Sequence, residues 1–433
     1  MRSASRSGVV TISNLPCNVV DGILGCLPLK DAVKTSILSK DWRYKWVTRQ
    51  ELDFSDEFFK SFKEKQEAKA IIYQVLLLHR GPILKFKLGG RNLKSCPDID
   101  HWILFLSKKN IQEFTLYMWS DNKYYLPSHL FTFQELRYLE VSECLFHPPP
   151  GFEGFEKLIS LDLQHVTFVP ATFKDFILKC PSLERLMLRW CTDFDTLEID
   201  APTLKFFDFT GESKSICFKN APMLENVSVY LSVSRVLPYP SHVCSNLTKF
   251  FHYMPSLKEL DLCNSTLEYL IMGGVPESPP TALNNIKSLR MSDMSFRNVE
   301  QVSGAVYLIT SCPKLQELTI DITVSAGNVV EPVVQFLRAQ SISCGVAKLL
   351  QRVEMSYFTG AETEMEFVRF ILASAPVLEE ILIWNVAHHF HRSTQMMDDE
   401  MKLFGRASPN VRIILEVFTE EDCVLLEPEE VMD

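Results

Sequence analysis

The sequence predicts an α/β solenoid of stacked, strand-bearing coils, preceded by a small three-helix module. Three observations predict it. A six-residue apolar pattern recurs along most of the chain. An apolar helical stripe ending in proline stands in fixed phase ahead of several copies. The first stretch of about 50 residues follows neither pattern.

The pattern is apolar, two variable residues, apolar, one variable residue, apolar. Clear copies are Leu136-Leu139-Val141, Leu158-Leu161-Leu163, Leu183-Leu186-Leu188, Leu257-Leu260-Leu262, Leu315-Leu318-Ile320 and Leu378-Ile381-Ile383. Weaker copies begin at Ile83, Ile111, Leu204, Leu224, Ile286 and Leu350. Successive starts lie 20 to 35 residues apart, most of them within or near the about 20–29 residues of a leucine-rich repeat. The last two apolar positions are two apart, so they share one side of a strand, and the first fills the same core from the preceding turn. A single coil cannot bury that edge alone. Stacked coils can, with their strands paired as a parallel sheet.

Pro181, Pro255, Pro313 and Pro376 each stand two residues before a repeat leucine. Ahead of them run Phe173, Phe176, Ile177 and Cys180; Leu247, Phe250, Phe251 and Met254; Ala305, Leu308, Ile309 and Cys312; and Val368, Ile371, Leu372 and Ala375. This is the i, i+3, i+4, i+7 stripe of a short amphipathic helix. Thr172, three residues before Asp175, has the form of a helix start. The coils at Leu204 and Leu224 are only 21 and 20 residues after their predecessors and lack the stripe. They are expected to be strand plus irregular return, which makes the array irregular.

Residues 12 to 47 read as three short helices. Val19, Val20, Ile23, Leu24 and Leu27 form one apolar face, and Pro28 ends that helix. Asp31 opens a second helix with Ala32, Val33, Ile37 and Leu38; Asp41-Trp42-Arg43 opens a third, with Trp46 one turn on. So few residues bury little surface and need a neighbour to be stable. Trp42 and Trp46 are expected in the core of the module. Gly22 and Gly25 inside the first helix each cost about 1 kcal/mol against alanine.

The run Leu15-Pro16, Ile23-Leu24, Leu27-Pro28, Asp31-Ala32-Val33, Ser36-Ile37-Leu38-Ser39-Lys40, Trp42-Arg43 and Trp46 resembles a plant F-box. The resemblance implies docking on a Skp-family adaptor, and through it on cullin and RING subunits, in an SCF-type ubiquitin ligase. It places the adaptor contacts at Leu15, Pro16, Ile23, Leu24, Leu27 and Pro28. The chain departs from the family in carrying Cys17-Asn18-Val19-Val20 where an acidic residue and then leucines are common.

Toward the C-terminus two further coils are expected: a strand from Leu350 to Met355, a turn at Gly360, a helix from Glu364 to Ser374 and a strand from Leu378 to Trp384. Val411 to Val417 is expected to be an edge strand. Val353-Glu354-Met355, Gly360, Glu366-Phe367 and Ala375-Pro376-Val377-Leu378-Glu379 resemble the FBD domain that follows F-box and repeat segments in plant proteins. The boundaries expected are a disordered N-terminus at 1–10, F-box at 11–50, leucine-rich repeats at 51–345, FBD at 346–418 and an acidic, solvated tail at 419–433.

Composition narrows the function. The formal net charge is −10 and the pI about 5.6, so the excess of Lys and Arg that nucleic acid demands is absent. No apolar run reaches the about 18 residues of a membrane span, and residues 1–10 lack a signal-peptide core. A cytoplasmic or nuclear chain is expected, with its 12 cysteines reduced and largely buried. His388-His389-Phe390-His391 has no accompanying cysteine pair or helical histidine spacing and reads as a polar loop. No phosphate-binding glycine loop, nucleophile elbow or kinase set occurs. The reading is a non-catalytic chain with no cofactor and no metal.

If the repeat leucines point inward, the residues alternating with them face out, where solenoids bind partners. Tyr138, Glu140, Arg185, Arg189, Glu259 and Asp261 are the candidates to touch an unknown target protein. The expected function is that of a substrate-recognition subunit of the ligase. The alternative is a repeat scaffold that binds partners without the adaptor.

Overall fold

The computed structural model describes residues 15–418, apart from 41, 63–64, 91–92, 94–95, 120–122, 170–171, 193–195, 233–245, 273, 277, 324–330, 341–346 and 387–393. The chain divides into two compact units, Met1–Phe194 and Asp195–Asp433.

In the first unit, six strands pair side by side in parallel: Glu51–Phe54, Lys85–Gly89, Glu113–Tyr117, Tyr138–Ser142, Ser160–Gln164 and Arg185–Arg189. In the second unit eight do so: Phe206–Gly211, Asn226–Leu231, Glu259–Cys263, Ser288–Met294, Glu317–Ile322, Arg352–Phe358, Glu380–Val386 and Arg412–Phe418. All twelve apolar motifs therefore carry a strand, which opens two residues after the first apolar position. That first residue is at most 1% exposed in every coil, so it plugs the turn. The two following apolar positions form continuous inward rows. In the first unit one row runs Leu52, Phe86, Phe114, Leu139, Leu161, Leu186. Each buried aliphatic or aromatic side chain contributes about 1.5–3 kcal/mol.

Neighbouring coils are stitched by one recurring device. The carbonyl just before a strand accepts from two successive N–H groups of the next coil. Gln50 O accepts from Leu84 and Lys85, Arg137 O from Ile159 and Ser160, and Lys287 O from Gln316 and Glu317, all at 2.8–3.0 Å.

The proline-registered helices are present as Thr172–Leu178, Asn246–Phe251, Val299–Ser311 and Glu362–Ser374, and their stripe residues are buried. Thr172 does not cap the first of them. It lies within the helix, and its hydroxyl donates back to Val169 O at 2.7 Å. The short coils also differ from expectation. Their returns are strands, Thr196–Asp200 and Ser215–Asn220, paired in parallel. A similar return ladder in the first unit joins Tyr124–Tyr125, Cys144–Phe146 and Thr167–Phe168. A coil of 20 residues has too little chain for a helix after its front strand and turns, and a short strand crosses the same distance with fewer residues. Phenylalanines occupy the depth a helix would fill: the Phe146 ring stands 5.2 Å from Phe168, and Phe207 5.3 Å from Phe218.

The N-terminal module holds helices Cys17–Gly25 and Leu29–Lys34 with a 3-10 turn at Thr35–Ile37. The second helix opens directly behind Pro28 rather than at Asp31. The expected third helix is only a 3-10 turn, Lys45–Thr48. It has no room to continue, because Arg49 turns extended and leads straight into the strand Glu51–Phe54, which the repeat pattern had not marked.

The C-terminal segment forms three further coils of the second unit's ladder. Its strands are Arg352–Phe358, Glu380–Val386 and Arg412–Phe418, the last at the end of the strand order. The helix Thr394–Lys402 between the final two was not expected. His388-His389-Phe390-His391, the first ten residues and the acidic tail lie outside the described residues. Gly360 has φ +76°, and a Cβ there would lie 2.3 Å from Met397 Sδ. The left-handed backbone favours glycine, and a Cβ there would also require the Met397 side chain to move. Gly360→Ala should therefore destabilise the chain by about 1–3 kcal/mol, read as a lower melting temperature in a thermal unfolding scan.

Candidate functional site

The module's first helix is apolar on two sides. Val20 and Leu24, four residues apart, are each 2% exposed and pack inward with Leu29, Ala32, Trp42 and Trp46. Val19 and Ile23, also four apart, are 41% and 40% exposed. The single face read from the sequence is thus two faces, because adjacent helical residues point about 100° apart. Leu24 belongs to the module core and is not free to meet a partner. Pro16, Ile23 and Pro28 are exposed, and Leu15 and Leu27 half-buried. The sequence reading missed Ile37 and Leu38, 87% and 56% exposed at the turn after the second helix. Their signal was present, since two large apolar residues follow a short helix with no fourth element to cover them. Together, Pro16, Val19, Ile23, Ile37 and Leu38 leave much apolar surface in water, a mark of an interaction site.

The module is anchored to the first coil. Arg49 donates to Leu27 O at 2.7 Å and to Gly25 O at 3.4 Å, carbonyls at the open C-terminal end of the first helix, where positive charge is favoured. His79 Nε2 donates to Arg49 O at 2.7 Å, and Arg80 N to Val47 O at 2.7 Å. Burial pushes the His79 imidazole below its ordinary pKa, so it stays neutral there.

The outward positions of the strands alternate with the buried rows. In the first unit Tyr138 and Arg185 are exposed and Glu140 and Arg189 half-buried. Glu140 accepts from the hydroxyls of Thr115, at 3.3 Å, and Tyr117, both on the neighbouring strand. Arg189 pairs with Asp162 at 3.2 Å. In the second unit Glu259 is exposed and accepts from the Asn226 amide; Asp261 accepts from Tyr230 at 2.9 Å. Tyr230 also meets Ser292 at 3.1 Å, and Ser292 and Arg290 both donate to Asp321. Burial pushes the Asp261 carboxyl up to about 6, with Asp321 and Asp208 adding repulsion and Tyr230 and Arg290 opposing it. The six candidates thus fall into two groups, one on each unit's face. Cross-strand bonding hold most of them, which periodicity alone does not reveal.

Chemistry is sparse. Burial pushes the thiols of Cys180, Cys191 and Cys312 up to about 12, which leaves them un-ionised and unreactive. No group of three or more metal-ligating side chains occurs among the described residues, and no helix among them is long and apolar enough to cross a membrane.

Comparison with known proteins gives two family matches. The F-box domain model matches residues 12–51, and the model described as At1g61320/AtMIF1, LRR domain, matches residues 79–404. The chain is 31% identical over 411 residues to the F-box/FBD/LRR-repeat protein At1g13570 of Arabidopsis thaliana, covering 93% of this chain and 97% of that one. It is 23% identical to the putative FBD-associated F-box protein At3g50710 of the same plant, over 94% and 99% of the two chains. The putative F-box protein At3g58860, also from Arabidopsis thaliana, is 25% identical over 86% and 87%.

Two outcomes follow from the geometry. Asp261 binds its proton more readily folded than unfolded, so its effect on stability is nil below about pH 4 and grows unfavourable as pH rises toward 6. Asp261→Asn, which keeps an acceptor for Tyr230, should melt above the wild-type chain at pH 7.5, with the gap closing toward pH 4. At Gly22 a Cβ would meet nothing within 4 Å. Gly22→Ala should stabilise the module by about 0.5–1 kcal/mol, visible as a higher denaturant midpoint.

Proposed function

Since the chain belongs to the family of F-box/FBD/leucine-rich repeat proteins, we propose that it is the substrate-recognition subunit of an SCF-type ubiquitin ligase. It binds a Skp-family adaptor through the N-terminal module, and through that adaptor the cullin and RING subunits. The outward faces of the strands hold the target protein. The chain itself catalyses nothing. It raises the local concentration of a target near a charged ubiquitin-conjugating enzyme.

The observation that carries this reading is the uncovered apolar surface on the F-box. Val19 and Ile23 from the first helix, with Ile37 and Leu38 beyond the second, are exposed side chains that do nothing for the module's own core. Among the residues the F-box resemblance nominates, Pro16, Ile23 and Pro28 are exposed, Leu15 and Leu27 are partly open, and Leu24 is buried in the module core. Arg49 and His79 hold the module to the first coil, which suits a subunit that must present its target at a set position.

The alternative, a scaffold that works without the adaptor, predicts that the same surface is dispensable. The two readings separate in one experiment. Full-length wild-type chain should capture a purified Skp-family adaptor, and Pro16→Ala with Ile23→Asp should lose that capture while melting at nearly the wild-type temperature. Failure of the wild-type chain to bind, or binding indifferent to both substitutions, would sink the ligase reading.

A further inference from the structure

The helix side of the first two coils carries apolar residues that serve no core. The helix Lys65–Leu78 and the residue after it bury Ile72, Val75, Leu76 and His79; the helix Asp98–Leu106 buries Ile99, Trp102, Ile103 and Leu106 at the same spacing. The strands that follow the two helices are paired, and the Tyr73 ring stands 5.6 Å from Trp102, so the helices are neighbours. The matched stripes give Leu77 and Leu104 equivalent places in successive coils, and likewise Leu78 and Phe105. Leu77 is 78% exposed, Leu78 50% and Leu104 39%, and Phe105 is half-buried. Lys109 joins the two helix ends, with Nζ 3.3 Å from Gly81 O and 5.1 Å from the centre of the Phe105 ring. A lone exposed leucine is ordinary, whereas several on adjoining helices mark a surface for a partner.

Position and area say which partner. His79 and Arg80, directly after Leu78, bond Arg49 O and Val47 O, each at 2.7 Å. The Arg49 guanidinium in turn reaches Leu27 O at 2.7 Å, at the end of the module's first helix. One arginine thus spans the gap between that helix and the patch. The module's own exposed apolar residues, Pro16, Val19, Ile23, Ile37 and Leu38, present roughly 150–350 Å² between them. A specific interface buries about 800 Å² on each partner, of which about 450 Å² is apolar. The F-box alone falls short of that. Leu77, Leu78 and Leu104 add roughly 100–200 Å², on the side where the module meets the solenoid.

We propose that the Skp-family adaptor docks across both surfaces, the F-box and the helix face formed by Leu77, Leu78, Leu104 and Phe105. This rests on the ligase reading. An adaptor that touched the module alone would leave the angle of the solenoid to the Arg49 joint. Contact with two helices of the array as well fixes that angle, and with it the position at which a target is presented.

The test uses the full-length chain and a purified Skp-family adaptor, with affinity read by isothermal titration calorimetry. Leu77→Gln with Leu104→Gln should weaken binding by about tenfold or more and melt close to the wild-type temperature, since glutamine is nearly as good a helix former as leucine. Leu178→Gln with Leu403→Gln, which removes leucines exposed elsewhere, should leave affinity unchanged. If the first variant fails to give a wild-type circular dichroism spectrum, hydroxyl-radical footprinting of the wild-type chain decides, with Leu77 and Leu104 expected to be protected when the adaptor is bound. Unchanged affinity in the Leu77 and Leu104 variant, an equal loss in the control, or leucines left unprotected would overturn the proposal. So would a dimer of the adaptor-free chain, seen by sedimentation velocity and dissolved by the same variant, because a second copy would then be the occupant. Failure of the wild-type chain to bind the adaptor removes the ligase reading and this inference with it. Binding lost in Pro16→Ala with Ile23→Asp but kept in Leu77→Gln with Leu104→Gln removes this inference alone.

Discussion

No strand in this chain can satisfy its own backbone, and that constraint organises the molecule. A parallel strand needs a neighbour on each side for its N–H and C=O groups, and it needs a layer behind it for its apolar side chains. The chain meets both needs by repetition. One carbonyl ahead of most of these strands takes two N–H groups from the next coil, and the inward rows run unbroken from coil to coil. Stability is then shared between coils and their interfaces, so an irregular coil is tolerated if its neighbours still pair with it.

The irregularity lies in the return segments. Where the chain is long enough, a helix packs behind the strand. Gly304, on the helix Val299–Ser311, shows how close that packing is, since a Cβ there would come 2.9 Å from Ile271. Where the chain is short, a strand returns and phenylalanine rings replace the helix. The segment that resembles an FBD obeys the same rule, as its strands continue the second unit's ladder. Its particular features are local reinforcements. The buried Glu364 carboxylate accepts from Thr359 N at 2.8 Å and Gly360 N at 3.0 Å, closing the start of its helix. Glu366, also buried, lies 3.0 Å from Arg338 and 3.4 Å from Arg369, tying two helices together.

What this economy leaves over is surface. The outer sides of the strands contribute nothing to the inward core, so their side chains are free to vary within the limits set by cross-strand neighbours. The N-terminal module is too small to bury all its apolar residues. Its inward residues pack around Trp42 and Trp46, and the remainder form a surface that a partner can cover. Arg49 makes this module continuous with the first coil, because its guanidinium closes the first helix while its backbone carbonyl is held by His79.

The sequence by itself determined the twelve strands of the repeat motif, the four proline-ended helices and the module, because each is a local pattern: two-residue alternation for strands, a 3.6-residue stripe for helices. Even the outward candidates Tyr138, Glu140, Arg185, Arg189, Glu259 and Asp261 followed from that alternation. Tertiary structure decided what local pattern does not encode. Val19 and Val20 are chemically alike, and only the position of Trp42 and Trp46 makes one outward and the other inward. The returns of the coils at Leu204 and Leu224 became strands because a neighbouring return was there to pair with. Asp261 meets Tyr230 and stands in register beside Arg290 only because adjacent coils, some thirty positions away, bring those residues there. Charge balance on a solenoid is a property of the stack, and no single coil contains it.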